Sequence, residues 1–344
     1  MANFALALGI ATRNSASKII EAYFPAPILA PKDELVCDIK KFVNPHQDEE
    51  VASITAPQCG ALADIFSRHQ QGESSSPILG KSVVSDQSLI LVILTQDGPP
   101  KSVAEAFLKL HLISHRLVLP HEIILDGIFD LLHNIAWTNE GPIDLPELAD
   151  RQVGARLSGR SLSVYSVDKF PRMADYVVPR GVRIADASRV RLGAYIGEGT
   201  TIMHEGFVNF NAGTTGVSMV EGRVSAGVLV NDGSDIGGGA SIMGTLSGGG
   251  KVVVSVGKKS LIGANSGLGF PLGDRCTIES GLYVTAGTKV HILDRDGNQV
   301  KIVKARDLAG VCDLLFRRNS STGRVECLTN KSAVRLNKQL HTNT

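Results

Sequence analysis

The segment VRIADASRVRLGAYIGEGTTIMHEGFVNFNAGTTGVSMV, residues 182–220, decides the fold. Every sixth residue from Ile184 (Val190, Ile196, Ile202, Val208, Thr214, Val220) is aliphatic except Thr214. The count restarts at Val224, Val230, Ile236 and Ile242, again at Val256, Ile262 and Leu268, and again at Ile278, Val284 and Val290. Helices repeat at 3.6 residues and flat strands at 2, so neither sustains a period of six. A fixed hexad over this length predicts a parallel β-helix, with a short strand and a corner in each hexad. A flexible Gly-rich linker would not hold its aliphatics in register. The glycines at Gly193, Gly197, Gly199, Gly237, Gly263 and Gly287 are expected to turn corners at positive φ.

The rhythm breaks three times. Val220 to Val224 is a step of four. Ile242 to Val256 is a step of fourteen, read as two hexads and two residues, and it contains Ser247-Gly248-Gly249-Gly250, expected to loop out. Leu268 to Ile278 is a step of ten. Irregular backbone on a rigid scaffold is where sites tend to lie.

Outward from the solenoid, residues 1–165 read as an α+β domain. A strand is expected at 4–10 and a short helix at 15–24, stopped by Pro25 and Pro27. Helices are expected at 51–69, 103–117 and 125–137, and a buried strand at 89–95. The solenoid takes 166–292. A C-terminal β tail takes 293–344, with a hairpin signal at Asp294-Arg295-Asp296-Gly297-Asn298. The two flanking segments are expected to cap the open strand edges of the solenoid.

Composition narrows the function classes. The 344 residues carry a net charge of +1 and 5% aromatics, which argues against a nucleic-acid surface or an anionic-membrane partner. No apolar run is long enough to span a bilayer, and residues 1–10 lack a basic n-region, so no signal peptide is expected. Five scattered cysteines without a CxxC fit reduced thiols in a cytoplasm better than a disulfide framework or structural zinc. The six histidines of the first domain show no metal-site spacing and read as ordinary surface or core residues.

Four features could carry chemistry. Glu221-Gly222-Arg223 sits in the four-residue step; Glu221 could accept a proton and Arg223 could hold an anion, or the pair could form a plain surface turn. Met203-His204-Glu205 offers a histidine that could act as a base and a carboxylate; three copies of Glu205 meeting on a trimer axis would need a hard cation, and a solvated carboxylate is the alternative. Gly238, Ala264 and Ser280 each follow an aliphatic hexad position by two residues, and Arg223 and Ser241 are one coil apart. These small stacked residues suggest a groove for a long amide-bearing ligand, or ordinary corner packing. Lys304 and Arg317-Arg318-Asn319-Ser320 suggest a phosphate clamp.

Taken together, DKFPRMADYVVP, MHEGFVNFNAGT, SMVEGRVSAGV, DGSDIGGGASIMGTLSGGGK, LIGANSGLG, ESGLYVTAGTKV and LLFRRNS resemble the long bacterial tetrahydrodipicolinate N-succinyltransferases. The resemblance is dense over about 165–320. It implies a left-handed β-helix of the hexapeptide-repeat acyltransferases, a homotrimer with sites between adjacent subunits, succinyl-CoA as donor and a small dicarboxylate acceptor. It implies that Glu221 is catalytic, as base or as acyl-anhydride nucleophile, and that Arg223 holds the succinyl carboxylate. Gly238, Ser241, Ala264, Glu279, Ser280 and Gly287 resemble the succinyl-CoA contacts, and Lys304 and Arg317 to Ser320 those to its nucleotide end. Glu205 resembles a magnesium ligand on the trimer axis. Ser188 stands where some relatives carry an acid, which puts a second metal site in doubt. A hexapeptide acetyltransferase with a His-centred site, or a non-catalytic solenoid scaffold, are the rival readings.

Overall fold

The computed structural model describes residues 3–43, 50–71, 79, 88–244 and 252–329. The chain forms two compact units. The first holds the chain up to Val118, Glu122–Pro171 and Asp175–Val177; the second holds Leu119–His121, Arg172–Ala174 and the chain from Val178 onward.

The first unit is built on an antiparallel sheet. Its strands are β1 (Ala5–Arg13), β2 (Ile19–Tyr23), β3 (Ile28–Leu29), β4 (Val51–Ser53) and β5 (Ser88–Leu94), in the order β2-β1-β5-β4 with β3 also on β1. Helices α1 (Asp33–Lys40) and α2 (Ala56–Arg68) bury Leu35, Ile39, Leu62, Ile65 and Phe66 with Leu6, Leu8, Leu91 and Ile93. Helix α3 (Val103–Ser114) is buried along its length and packs on β2. Its Lys109 ammonium donates to Asp97 and to the Ile124 carbonyl, so the buried cation is paired. Beyond a one-turn helix α4 (Ile128–Leu131), a second sheet runs β7-β6-β8, from β6 (Ile135–Thr138), β7 (Gly141–Asp144) and β8 (Val164–Asp168). Helix α5 (Leu145–Leu157) lies between β7 and β8 in sequence.

Two expected helices are not helices. Residues 15–24 form a turn and strand β2: Asn14 Oδ1 accepts from the Ala16 and Lys18 N–H groups, and Ser17 turns at φ 60°, so the chain folds back onto β1. Residues 125–137 form α4 and then β6, whose four residues are all buried between β7 and β8. In both, apolar residues at helical spacing are buried by a sheet instead, since tertiary burial outweighs local propensity. The segment 51–69 divides into β4 and α2 at the Thr55–Gln58 capping box.

His111, at the centre of α3, is fully buried. Its Nδ1–H donates to the Phe107 carbonyl at 2.7 Å and its Nε2 accepts from Phe24 N–H at 3.2 Å. Burial pushes its pKa down to about 3, with the neighbouring His115 acting in the same direction. The folded ring therefore stays neutral while the unfolded one protonates near 6.5. Between those values the unfolded state binds more protons, so stability falls as pH falls. We expect a slope of up to about 1.4 kcal/mol per pH unit from this residue. His111→Gln should flatten the curve of unfolding free energy against pH in that window; an unchanged slope would remove His111 as its source.

The second unit is a β-helix with three faces, each a stack of short parallel strands. On the first face Ile184, Ile202, Val220, Ile236, Ile262 and Ile278 are in parallel register. On the second are Val190, Val208, Val224, Ile242, Leu268 and Val284. On the third are Ile196, Thr214, Val230, Val256 and Leu272. All but Ile184 are buried. Thr214 keeps its place in the core because its hydroxyl meets Thr200 Oγ1 at 2.8 Å and accepts from Gly197 N–H at 3.2 Å. A column of buried serines does the same higher up: Ser234 Oγ accepts from Ser260 N–H, and Ser260 Oγ from Cys276 N–H.

One break resolves differently from its expectation. The step from Ile242 to Val256 joins adjacent faces, so it is one hexad with an eight-residue insertion, not two hexads and two residues. The expected Gly248 loop lies outside the described residues. The ten-residue step contains Leu272, a third-face position, and so is a step of four followed by one of six. The corner glycines also differ in cause. Gly193 and Gly199 have positive φ, but among the others Gly197, Gly237 and Gly263 are required by close approach: a Cβ on Gly237 would lie 2.6 Å from Ala264 N.

The tail closes the last coil. Lys289–Leu293 and Gln299–Lys304 form the expected hairpin, with Asp294 Oδ1 accepting from the Asp296 and Asn298 N–H groups. Strand Leu314–Arg318 adds in parallel to Thr277–Ile278, so Phe316 continues the first-face column, and it pairs antiparallel with Val325–Thr329. The open edge of that face is thereby covered. Among the described residues the five cysteines are free; burial raises the thiol pKa of Cys276 to about 11 and of Cys327 to about 12, which keeps both protonated.

Candidate active site

The corner between the first and second faces is where the site residues gather. At five levels it spans six residues: Ile184 to Val190, Ile202 to Val208, Ile236 to Ile242, Ile262 to Leu268, and Ile278 to Val284. At one level, Val220 to Val224, it spans four. The shortened corner is a notch between two longer ones, and it consists of Glu221, Gly222 and Arg223.

Backbone hydrogen bonds hold the notch. Glu221 N–H donates to Ile236 O at 2.8 Å, Arg223 N–H to Ala240 O at 2.7 Å, and Phe207 N–H to Gly222 O at 3.0 Å. The Glu221 side chain is half-buried. A Cβ added to Gly238 would lie 3.5 Å from Glu221 Oε2, so the floor beside the carboxylate is bare backbone. The same corner continues upward as a ladder: Asn265 N–H donates to Gly238 O and Gly281 N–H to Ala264 O, each at 2.8 Å. Glu221, Gly238, Ala264 and Ser280 therefore share one edge of the prism. Three coil steps separate the first from the last, about 14 Å.

Around the corner, Phe207, Arg223, Ser241, Gly267 and Tyr283 are register partners on the second face. Arg223 Nε donates to Ser241 Oγ at 3.1 Å. That bond aims the guanidinium and leaves its terminal N–H groups without a partner among the described residues. The Tyr283 ring covers Gly267, where a Cβ would lie 2.1 Å from it. An acid, an aimed guanidinium and an edge of small residues with accessible peptides can together take a long ligand with a reactive carbonyl at one end and an anionic group beside it.

Two segments match known family models. Residues 132–172 match the tetrahydrodipicolinate N-succinyltransferase middle region, and residues 253–286 match the hexapeptide repeat of succinyl-transferase. The chain is 69% identical over 343 residues to a 2,3,4,5-tetrahydropyridine-2,6-dicarboxylate N-succinyltransferase of Vibrio cholerae, covering 100% of both chains. It is 56% identical over 338 residues to the one of Pseudomonas aeruginosa, covering 98% of each. The chain belongs to the tetrahydrodipicolinate N-succinyltransferase family. A crystal structure of a Campylobacter jejuni protein assigned as a 2,3,4,5-tetrahydropyridine-2-carboxylate N-succinyltransferase superposes with TM-score 0.87 at 34% identity, covering 97% of this chain and 94% of that one.

Against that family background the remaining expected residues separate into two groups. Glu279 extends the groove: its N–H donates to Phe316 O, and its Oε2 accepts from Arg318 N–H at 2.7 Å, so the ladder runs on to the tail strand. Gly287 is exposed, with open space where a side chain would be. Arg317 and Asn319 are engaged inside the protein. Arg317 Nε meets Glu326 Oε2 at 3.0 Å; Asn319 Nδ2 donates to Glu326 Oε1 at 2.7 Å, and its Oδ1 accepts from Ser321 and Thr322 N–H. The Asn319 and Arg317 bonds hold Glu326 below the usual carboxylate range. Ser320 is exposed at the tip of this turn.

Arg317→Ala should therefore lower the thermal midpoint, because it leaves the 9%-exposed Glu326 without its cation. An unchanged Tm would show that the pair contributes nothing to stability. Residues 1–165 contribute none of these groups.

Lys304 lies elsewhere, at the end of the hairpin, with Lys289, Ile302, Val303, Arg306 and Asp307 around a cavity of about 530 Å³. Lys289 lies fifteen residues before Lys304 and becomes its neighbour only when the hairpin closes. Glu205 is exposed on the corner one level before the notch. Its carbonyl accepts from Arg189 Nη2 at 3.1 Å, while its carboxylate has no partner among the described residues. Among those residues no three His, Cys, Asp or Glu side chains converge within one chain. His204 is exposed beside Glu205, and Ser188 donates to Asp186 at 2.7 Å.

Proposed function

We propose that this CoA-dependent N-succinyltransferase transfers succinyl from succinyl-CoA to the amine of ring-opened tetrahydrodipicolinate, 2-amino-6-oxopimelate. The step belongs to lysine and diaminopimelate biosynthesis. Glu221 is the general base. The amine lone pair forms the new C–N bond at the thioester carbon. The amine proton passes to Glu221, the C–S bond breaks, and the thiolate leaves as CoA after reprotonation. In this reading peptide N–H groups of the corner stabilise the transient oxyanion. Arg223, aimed by Ser241, holds the succinyl carboxylate, and the edge Gly238–Ala264–Ser280 with Glu279 and Gly287 takes the pantetheine arm. The observation that carries this reading is the notch, which puts Glu221 beside the bare Gly238 backbone and next to the aimed Arg223.

In this reading the enzyme is a homotrimer whose sites lie between adjacent chains, and it works in the cytoplasm. Among the described residues no helix is long and apolar enough to cross a membrane. One uncommitted, exposed carboxylate per chain suits a magnesium ion where three Glu205 side chains meet, since a hard cation takes oxygen ligands; the ion would bring charge neutralisation at the axis. The test is thiol release from succinyl-CoA with and without tetrahydrodipicolinate. Acceptor-dependent thiol release is expected; its absence in the wild type rejects the reading. A sedimentation mass other than three chains rejects the trimer.

A further inference from the structure

The first unit carries charged groups that the transfer reaction does not use. Arg13, Glu140, Asp144, Glu147 and Arg151 line one cavity of about 380 Å³, bounded by β1, β2, β7, the start of β5 and helix α5. That volume falls within the range of small-molecule pockets. Two guanidiniums stand against three carboxylates, so the lining carries one negative charge in excess.

Part of that charge is already spent. Glu140 is bonded by Arg160 and lies 4.0 Å from the Arg151 guanidinium. Arg13 is different. It is half-buried, and its guanidinium donates to Ser88 Oγ at 3.1 Å, to Ser53 Oγ at 3.1 Å and to Ser17 O at 2.8 Å. Neutral acceptors fix the cation without cancelling its charge, and the other N–H donors of the fork are uncommitted. The two residues after it hold the acids of the same cavity. Asn14 Nδ2 donates to Asp144 Oδ2 at 2.7 Å, and Ser15 N–H donates to Glu147 Oε1 at 2.6 Å. The Ser15 N–H and hydroxyl keep Glu147 below the usual carboxylate range, so it is ionised. One turn thus brings a fixed cation and two carboxylates to one cavity, and among the described residues no ion pair joins Arg13 to either acid. Ile20, Pro142 and Ile143 add apolar lining.

A bare metal ion does not suit this lining. Among the described residues no three His, Cys, Asp or Glu side chains converge, and Arg13 would repel a cation. We propose that the cavity is a binding site for a small basic amino acid. Arg13 takes the α-carboxylate, Asp144 and Glu147 take the ammonium groups, and the apolar lining takes the methylene stem. Such a ligand carries one more positive than negative charge and so neutralises the lining, whereas a plain zwitterion leaves the excess. Its charge-assisted bonds form without first breaking an ion pair at Arg13. The site belongs to the first unit alone and is independent of the transfer reaction above.

The experiment is calorimetric titration of the full chain with L-lysine and with two probes that each lack one group: cadaverine, without the carboxylate, and L-norleucine, without the side-chain ammonium. The variants are Arg13→Gln, Arg13→Lys as its conservative control, and the double variant Asp144→Asn with Glu147→Gln. We expect wild-type protein to bind L-lysine with a Kd of about 1 mM or tighter, and to bind either probe about tenfold more weakly or worse. The double variant should bring L-lysine down to the affinity of L-norleucine. Arg13→Gln should bring it down to that of cadaverine and leave cadaverine itself unchanged, and Arg13→Lys should recover part of the loss. The double variant keeps acceptor oxygens for Asn14 and Ser15, so its effect is read separately from that of Arg13→Gln, which also gives up three bonds within the unit. No saturable binding of L-lysine to the wild type up to about 10 mM overturns the proposal. An L-lysine affinity unchanged in the double variant overturns it too, as does cadaverine bound as tightly as L-lysine.

Discussion

Glu221→Gln is expected to lower kcat for acceptor-dependent thiol release by about 10²–10⁴-fold, the usual weight of a positioned general base. The amide is isosteric and can still hydrogen-bond, but it cannot take the proton of the attacking amine. The notch is held by main-chain bonds from Glu221, Arg223 and Gly222, none of which involves the carboxylate. The fold, the thermal midpoint and the KM for succinyl-CoA should therefore change little. That separates lost chemistry from lost structure. A variant with wild-type kcat would remove Glu221 from the reaction. A succinyl group trapped on Glu221 in the wild type would keep the residue but change its role from base to nucleophile.

Gly222→Ala is expected to be the most damaging methyl group in the solenoid for the site. A Cβ there would lie 2.5 Å from Ala240 O, 2.8 Å from Gly237 O and 2.8 Å from Ile236 Cγ2. The first two are backbone atoms of the next coil, which cannot swing aside as a flexible side chain could. The Ala240 carbonyl is also the acceptor of Arg223 N–H. Relief of the clash therefore pulls on the bond that seats Arg223. We expect a loss of about 1–3 kcal/mol, as for overpacked cores, and a fall in kcat/KM beyond what the unfolded fraction explains. The control is Gly154→Ala on α5, where a Cβ meets nothing within 4 Å; it should gain about 0.5–1 kcal/mol from the lower entropy of the unfolded chain. Urea unfolding of both variants checks the pair. Equal effects would show that the predicted clash at Gly222 has no consequence.

The solenoid could be read from residues because its signal is redundant. Each core position repeats the same demand, an aliphatic side chain pointing inward, and the stacked columns from Ile202 to Ile278 and from Val208 to Val284 answer it level by level. The notch was visible as a missing pair of residues. The first unit offered no such redundancy. In residues 15–24 and 125–137 the apolar spacing suits a helix, and the decision went to distant partners: β1 in one case, β7 and β8 in the other. The fourteen-residue step was misdivided because spacing alone cannot distinguish an inserted excursion from two extra turns of the same path.

The site shows the same division. Local sequence determined that Glu221 and Arg223 leave the hexad rhythm together, and that Gly238, Ala264 and Ser280 recur at one phase of the period. Both are properties of the chain's own arithmetic. Tertiary structure alone decided which charged groups are available. Arg317 and Lys304 look alike as cations in a sequence. Folding pairs the first with Glu326 and leaves the second open beside Lys289 and Arg306. Whether a charge is free depends on what lies across a strand or a hairpin from it, and that neighbour is set by register and closure rather than by sequence distance.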